Sequence, residues 1–317
     1  FVASSETYRD SIYIQLGVNI CDSCDSFYLK EFVDEKSIGM YYPKSYYTKD
    51  NKIDDSSFNF KVRELAYSIF KGYPIKQKVT FKVLLFSILY GIFFWHRFKR
   101  FPRHLENITK PSMLEIGYGG GKYLVDLKNL GWDCYGIDVD QSNASQLLDK
   151  KIIVSDSFSK IILEKNKFDY IYSYHAFEHI YDIDSAMQHS FNTLSDEGVF
   201  KLCIPMSDGL LPRLFKQYWY DLGVPIHKQI FSYKGVYALS KRHGFKIAEY
   251  KYNSYSESLV GTILTWLFSI FKYKKKSAQD FSSSKIFILM CYIFSPIVFL
   301  LDLFNLGDRA EFVLIKK

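Results

Sequence analysis

The sequence predicts an α/β fold: a seven-stranded, mostly parallel sheet with helices on both faces and an apolar helical insertion between its last two strands. Two observations predict it. From Met113 onward, short apolar runs bounded by glycine and polar turns alternate with longer helical stretches. That alternation generates strands joined by crossover helices. Punctuation also falls where elements should end: Gly131 after one helical stretch, Pro205 after one apolar run, and Gly244 after a later helix. A glycine just past a helix accepts the left-handed conformation that closes it.

In chain order, a first strand is expected over 112–116, a helix over 123–130 and a second strand over 133–138. A helix over 141–148 and a short strand over 151–154 follow, then a fourth strand over 168–174 with alternating Tyr and Ile. After a helix over 183–193 come a fifth strand over 199–204, a helix over 233–243, a sixth strand over 245–252 and a seventh over 310–315. Residues 1–60 read as polar, Tyr-rich and irregular, and 61–104 as helical, ending in an apolar run. The sheet core takes 105–256 with 304–317, and 257–303 forms the insertion.

The 317 residues are 48% hydrophobic, with 41 basic and 34 acidic side chains and a net charge of +7. This excludes a mainly disordered chain, a collagen-like repeat and a disulfide scaffold. The charge is too small to argue for nucleic acid, and no nucleic-acid partner is expected. Aromatic content is 18%, with 26 Tyr and 28 Phe, enough to set some of them against lipid or an apolar partner. Five scattered cysteines point to a reducing compartment, hence a cytoplasmic location. The first twenty residues lack a basic segment followed by an apolar one, so no signal peptide is expected.

Three apolar runs bear on membranes. Residues 83–95 are uncharged and lead into His96-Arg97-Phe98-Lys99-Arg100; 262–271 lead into Lys272 and Lys274-Lys275-Lys276; 286–301 contain Pro296. A spanning helix needs about 20 apolar residues, so none of the three is expected to cross. Short apolar helices with basic ends suit the membrane interface, where cations meet anionic headgroups. Burial in the core is the competing reading for each run.

The segment Leu114-Glu115-Ile116-Gly117-Tyr118-Gly119-Gly120-Gly121 closes the first strand. A dinucleotide fingerprint would need glycine at 117, 119 and 122, and position 122 is Lys. The spacing that fits is Glu-x-Gly-x-Gly-x-Gly, with Glu115, Gly117, Gly119 and Gly121. Asp138 ends the second strand, 17 residues past Gly121, where a carboxylate can accept two hydrogen bonds from ribose hydroxyls. Asp156 follows the third strand, placed to accept from an adenine amino group beside Phe158. Each Asp alone reads equally as a loop residue or helix cap. Together they lie at consecutive strand ends, where open α/β sheets bind ligands.

With these pieces the sequence resembles the class I S-adenosylmethionine-dependent methyltransferases, over roughly 113–252 plus the last strand. Further matching stretches are Gly136-Ile137-Asp138, Ser155-Asp156, 168–173, Phe177-Glu178-His179-Ile180 and 194–198. The last is similar to the family's Leu-Lys-Pro-Gly-Gly turn, but reads Leu-Ser-Asp-Glu-Gly. The resemblance implies a Rossmann-like fold, S-adenosylmethionine as cofactor, and a cofactor set of Glu115, Gly117, Tyr118, Gly119, Gly121, Asp138, Val139, Asp156, Ser157 and Tyr174. Tyr118 would cover the methionine portion of the cofactor. The Phe-Glu-His tract, with Trp219-Tyr220-Asp221-Leu222, Pro225-Ile226-His227 and Phe231-Ser232, is similar to the subgroup of ubiquinone-type and polysaccharide or sugar methyltransferases. Cys21-Asp22-Ser23-Cys24 and Tyr41-Tyr42-Pro43 are similar to a leader that holds zinc between two cysteine pairs in some members. Only one pair is present, and no metal is expected.

The sulfonium methyl is already electrophilic, so a hydroxyl acceptor needs in-line positioning and a base. His179 and His227 are the candidate bases, with Glu178 as an orienting carboxylate. Glu178 and His179 alone are too few for a metal site. Trp219 and Tyr220 are expected to wall the acceptor pocket, with core packing as the alternative for Trp219; His175, His189 and His243 read as surface or helix residues. The expected function is O-methylation of a carbohydrate or lipid-linked glycan at the cytoplasmic membrane face, with peripheral association through 83–95, 262–271 and 286–301. The alternatives are a quinone or isoprenoid acceptor and, in another class, a non-catalytic scaffold. Retention of Glu115, Asp138 and Asp156 argues against the scaffold.

Overall fold

The computed structural model describes residues 2–6, 13–31, 33–34, 37–42, 57–75, 78–93, 102, 110–165, 167–271, 282 and 284–317. The basic stretch 96–100, the segment 43–47 and Lys272 to Lys276 lie outside the described residues. The chain divides into two compact units, one of residues 1–46, 173–192 and 199–317, the other of 47–172 and 193–198.

The main sheet has seven strands: β4 (Ser112–Ile116), β5 (Asp133–Ile137), β6 (Ile153–Ser155), β7 (Phe168–Tyr174), β8 (Leu194–Pro205), β10 (Phe245–Tyr252) and β11 (Arg309–Lys316). Their order is β10-β11-β8-β7-β4-β5-β6, so the order reverses at β4. Strands β4, β5 and β6 pair in parallel, from Ser112↔Asp133 through Ile137↔Ser155. Strand β11 is antiparallel to both its neighbours. Every residue of β4 is buried, as expected of a parallel strand covered on both faces. This is the Rossmann-like sheet that the alternation predicts.

Some boundaries move for local reasons. The third strand starts at Ile153, after Lys151 adopts a φ of 58°. Strand β8 begins at Leu194, so the 194–198 stretch extends the strand. A larger difference lies at the N-terminus, where the irregular reading is replaced by strands β1 (Val2–Glu6), β2 (Tyr13–Ile20) and β3 (Phe27–Leu29). They pair antiparallel with one another and with β9 (Gln229–Ile230) in a second sheet. For β3 and β9, a partner two hundred residues away leaves no local signature, and strands of two or three residues carry no periodicity, whereas β1 and β2 form a local hairpin.

In the unit of residues 47–172 and 193–198, helix α1 (Phe58–Lys71) starts at Ser57, whose side chain accepts from the Phe60 N–H, and ends at left-handed Gly72. It packs on α2 (Phe81–Phe93). Close approach is allowed by Gly91, where a Cβ would fall 1.9 Å from the Phe70 ring. Helix α3 (Lys122–Leu130) is tied to α1 by a buried Arg63–Asp126 ion pair at 3.1 Å. The Trp132 indole N–H donates to the Tyr73 hydroxyl at 3.0 Å. At the start of β4, the Ser112 N–H and hydroxyl both donate to Asp169 at 2.8 Å. Helices α4 (Ala144–Asp149) and α5 (Phe158–Glu164) flank β6.

The other unit holds α6 (Ile183–Thr193, to Asn192), α7 (Leu210–Phe215), α8 (Tyr233–Arg242), α9 (Ser256–Ile270) and α10 (Lys285–Leu303). The apolar insertion is the pair α9 and α10. Helix α10 corrects the length argument made from sequence. It runs 19 residues, through Pro296, because it takes in Lys285, Asp302 and Leu303 beyond the uncharged run, and by length and composition it is apolar enough to cross a membrane.

The Gly91 contact yields a test. Gly91→Ala should destabilise the chain by about 1–3 kcal/mol in urea unfolding, as overpacking does, and an unchanged midpoint would contradict the α1–α2 packing.

Candidate active site

Two constellations carry the chemistry, one in each unit. The first follows β4. The chain turns through Gly117, Gly119 and Gly121, with φ of 78°, 50° and 69°, a region where glycine alone is unstrained. The Gly117 N–H donates to the Ile137 carbonyl at 2.7 Å, and the Asn143 side-chain amide donates to the Gly119 carbonyl at 3.1 Å. The Gly119 N–H donates to one Asp138 oxygen at 2.8 Å, and the Asp140 N–H to the other at 2.9 Å. A carboxylate offers about four lone-pair sites, so Asp138 can brace the loop and still accept from a ribose diol.

The remaining cofactor candidates in this unit fall into open and closed sets. Val139 is 85% exposed while Ile137, two residues earlier, is 7% exposed. An apolar side chain held open beside an acid loop can wall an adenosyl group. The Asp156 carboxylate is exposed and pairs with Lys160 at 2.8 Å, which holds it below its ordinary range. Ser157 is the N-cap residue of α5, and its N–H donates to the Ser155 hydroxyl. Glu115 is buried within β4. Tyr118 is buried, with its ring on the β5 backbone, where a Cβ at Gly136 would meet it at 2.7 Å. Burial pushes its phenol up.

The second constellation lies in the other unit. Tyr174, at the end of β7, meets the Tyr255 hydroxyl at 2.6 Å and accepts from Arg309 at 3.2 Å, which ties it to the Arg309 cluster. A 3-10 turn, Phe177–His179, places Glu178 inside and His179 at the edge. The segment before β9 runs beside it: the Lys228 N–H donates to the Glu178 carbonyl at 3.1 Å and the Lys228 ammonium to the His179 carbonyl at 2.8 Å. That brings His227 to His179, with ring centroids 4.8 Å apart. Gly223, at φ 55°, makes room, since a Cβ there would lie 2.6 Å from the His227 ring.

Proton positions follow from the partners. Arg309 can only donate, so its contact with His175 Nε2 at 3.3 Å makes that nitrogen an acceptor. The His175 proton therefore sits on Nδ1 and points at Glu178 Oε1, 3.2 Å away. Backbone carbonyls can only accept. Nδ1 of His179 faces the Ile226 carbonyl at 3.2 Å, and Nδ1 of His227 faces the Asp221 carbonyl at 2.9 Å. Both Nδ1 atoms thus carry protons, so in the neutral ring Nε2 is the atom that presents a lone pair. Glu178 is fully buried, and its Oε2 has no hydrogen-bond partner among the described residues. Burial alone would raise its carboxyl; the facing imidazoles, His175 first, hold it at about 2. Burial and the His179 ring hold His227 down at about 3, hence neutral.

Glu178, His179 and His227 each offer a ligand atom, all within 4.8 Å of one another. Two neutral imidazoles and a carboxylate fit a divalent cation. This corrects the count made from sequence, which had only the adjacent pair Glu178 and His179. A cation held there would polarise a bound hydroxyl and lower its pKa. Cys21 and Cys24 lie at a turn, hydrogen-bonded to Ser23 and Ser26, and belong to no metal-holding group among the described residues.

Trp219 is a correction. It is 2% exposed in the core, and its indole N–H donates to Asp308 at 2.8 Å. Tyr220 packs its ring on Gly261 of α9, and its N–H donates to Thr262 at 3.1 Å. Trp219 is thus core, and Tyr220 seats α9. His175 is a second correction: it is no surface residue but the link between Arg309 and Glu178. Its φ of 50° was no signal in the sequence. His243 caps α8 and meets Asp184 at 2.7 Å.

Two tests follow. Asp138→Ala should weaken S-adenosylhomocysteine binding by roughly 1.5–3 kcal/mol in calorimetry, the loss of charged hydrogen bonds; equal affinity would remove Asp138 from the cofactor set. Asp221 is half-buried near Asp308, and desolvation together with that neighbouring carboxylate raises its carboxyl to about 7. The folded state therefore holds a proton that the unfolded chain releases, and stability falls as pH rises from about 4 to about 7. Asp221→Asn should flatten that fall in melting temperature, and an unaltered slope would contradict the shift.

Residues 94–250, just under half of the chain, match the family model described as a methyltransferase domain. No curated protein matches the chain significantly. Among solved structures, it is similar to a SAM-dependent methyltransferase from Thermotoga maritima at 15% identity, covering 67% of this chain and 84% of that one, TM-score 0.41. A cyclopropane synthase from Mycobacterium tuberculosis gives 16%, 76%, 87% and 0.42. An O-methyltransferase from a Brevibacillus brevis polyketide multienzyme, in complex with S-adenosylhomocysteine, gives 15%, 65%, 66% and 0.41. At such scores none of the three bears on what this chain acts on. The family-model match falls on the segment that carries the Glu-x-Gly-x-Gly-x-Gly loop and its acids, and it supports a class I S-adenosylmethionine-dependent methyltransferase.

Proposed function

We propose that the chain transfers a methyl group from S-adenosylmethionine to a hydroxyl of a carbohydrate or lipid-linked glycan at the cytoplasmic membrane face. One observation carries the hydroxyl reading. A buried carboxylate oxygen and the Nε2 atoms of two imidazoles, each an acceptor in the neutral ring, converge. Such a set calls for a proton donor, and a hydroxyl supplies one. The resemblance of the Phe-Glu-His and Pro-x-His tracts to sugar and polysaccharide methyltransferases supports the glycan. The exposed apolar helices support the membrane.

In the reaction the hydroxyl oxygen attacks the sulfonium methyl. The C–S bond breaks, its electron pair stays on sulfur, and S-adenosylhomocysteine leaves. The hydroxyl proton passes to imidazole. His227, held at about 3, is too weak a base to take it, so His179 takes the proton and His227 orients the hydroxyl. Glu178 stabilises the imidazolium that forms.

Methyl transfer to candidate glycans, read by mass spectrometry, tests the reading. His179→Ala should lower kcat by about 10²–10⁴-fold, the usual worth of a general base, while S-adenosylhomocysteine affinity stays unchanged. Full activity in that variant, or product methylated only on a quinone ring, would overturn it. A rate abolished by a chelator and restored by a divalent cation would move proton activation from His179 to a metal at the same cluster.

A further inference from the structure

Helix α10 is apolar all round, yet the protein covers only a narrow stripe of it. Phe287, Cys291 and Val298 are buried, and Phe294 packs beside them against α9 and the core. The spacing of these four sets them on one side of the helix. The remaining arc holds Ile286, Leu289, Ile293, Phe299 and Leu300, exposed by 46–73% together with its other large side chains. No charge interrupts the helix from Ile286 to Leu301. A helix of this composition belongs in a core or in lipid, and only 17% of its most apolar window is buried. The core reading therefore fails for this helix.

The partner helix shows the same trend along its length. In α9, Ser258 to Thr262 are buried, while Trp266, Ile270 and Phe271 at the other end are 40–69% exposed. The base of the pair is pinned: the Ser254 N–H donates to Asp302 at 2.8 Å and the Asp308 N–H to Ser254 at 2.9 Å. Beyond it the chain returns into the sheet, with Tyr252 opposite Ala310. The two helices thus leave and re-enter at one place. The segment that joins their free ends, 272–285, carries Lys272, Lys274, Lys275, Lys276 and Lys285 against one acid, Asp280.

We infer that the α9–α10 hairpin is a membrane-docking element that sinks the exposed arc of α10 and the Trp266–Phe271 end of α9 into the interface of an anionic bilayer. Charge complementarity selects lipid over a second copy, because two lysine-rich ends would repel each other and are drawn to acidic headgroups. Tethering selects docking over crossing. Helix α9 has 15 residues, about 22 Å at 1.5 Å each, and its first turns are buried in protein. It cannot return across a hydrocarbon layer of about 30 Å, so α10 lies along the interface. The inference rests on the proposed membrane-face function only for its purpose, and its test needs no acceptor.

The full chain is sedimented with vesicles of phosphatidylcholine alone and with phosphatidylglycerol added. Wild type should pellet with the anionic vesicles and be released by high salt. The triple variant Leu289→Ser, Ile293→Ser, Leu300→Ser should stay in the supernatant while binding S-adenosylhomocysteine as wild type does, which shows that it folds. Trp266 gives an independent reading: its fluorescence should be quenched by brominated lipid, and the quenching should vanish in Trp266→Phe. Wild type left in the supernatant, equal pelleting of the triple variant, or a wild-type dimer that the triple variant converts to monomer would each overturn the inference. Vesicle binding without methyl transfer would sink the proposed function and leave this one standing.

Discussion

A carboxylate cannot stay ionised inside a protein unless something holds it there, and in this molecule Arg309 does so at one remove. The guanidinium stacks over Tyr255 and donates hydrogen bonds to the Asn253 carbonyl, Tyr174 and His175. Because it only donates, it fixes the His175 tautomer, and that tautomer commits one oxygen of Glu178. The other oxygen is left facing two imidazoles whose protons are already bound to backbone carbonyls. The acceptor character of the cluster is thus set by groups that never touch the reacting atoms, as second-layer partners commonly do.

The glycine loop obeys a different constraint. Its three left-handed glycines give it shape, but the loop is held by a carboxylate from the next strand, through the Gly119 N–H and Asp138. The same acid that is expected to meet the ribose therefore also determines where the loop lies. Binding and loop order are linked at Asp138, and a substitution there acts on both.

Much of this was legible in the sequence. The Glu-x-Gly-x-Gly-x-Gly spacing, Asp138 and the alternation of apolar runs located the sheet and its loop, because these are local patterns with local causes. What failed to show was non-local. His175 reads as an ordinary residue until Arg309, 134 positions later, is found against it. Trp219 has the composition of a pocket wall, yet its indole N–H finds Asp308, 89 positions on, and the ring becomes core. Of the N-terminal strands, β3 is three residues long and pairs with β9 from the far half of the chain. In α10, the 286–301 run was read as too short to span, and the helix takes in Lys285, Asp302 and Leu303 beyond it. Charge and hydropathy did mark the insertion as unusual, but exposure, which decides between core and lipid, is a property of the fold alone.

The central claim is the placement of protons on the histidines, and nitrogen-15 NMR of the histidine side chains at neutral pH measures it directly. The account predicts His227 as a neutral Nδ1–H tautomer with unprotonated Nε2, His175 likewise, and a proton on Nδ1 of His179. An Nε2–H resonance for His227, or a bare Nδ1 on His179, would break the acceptor set and contradict it.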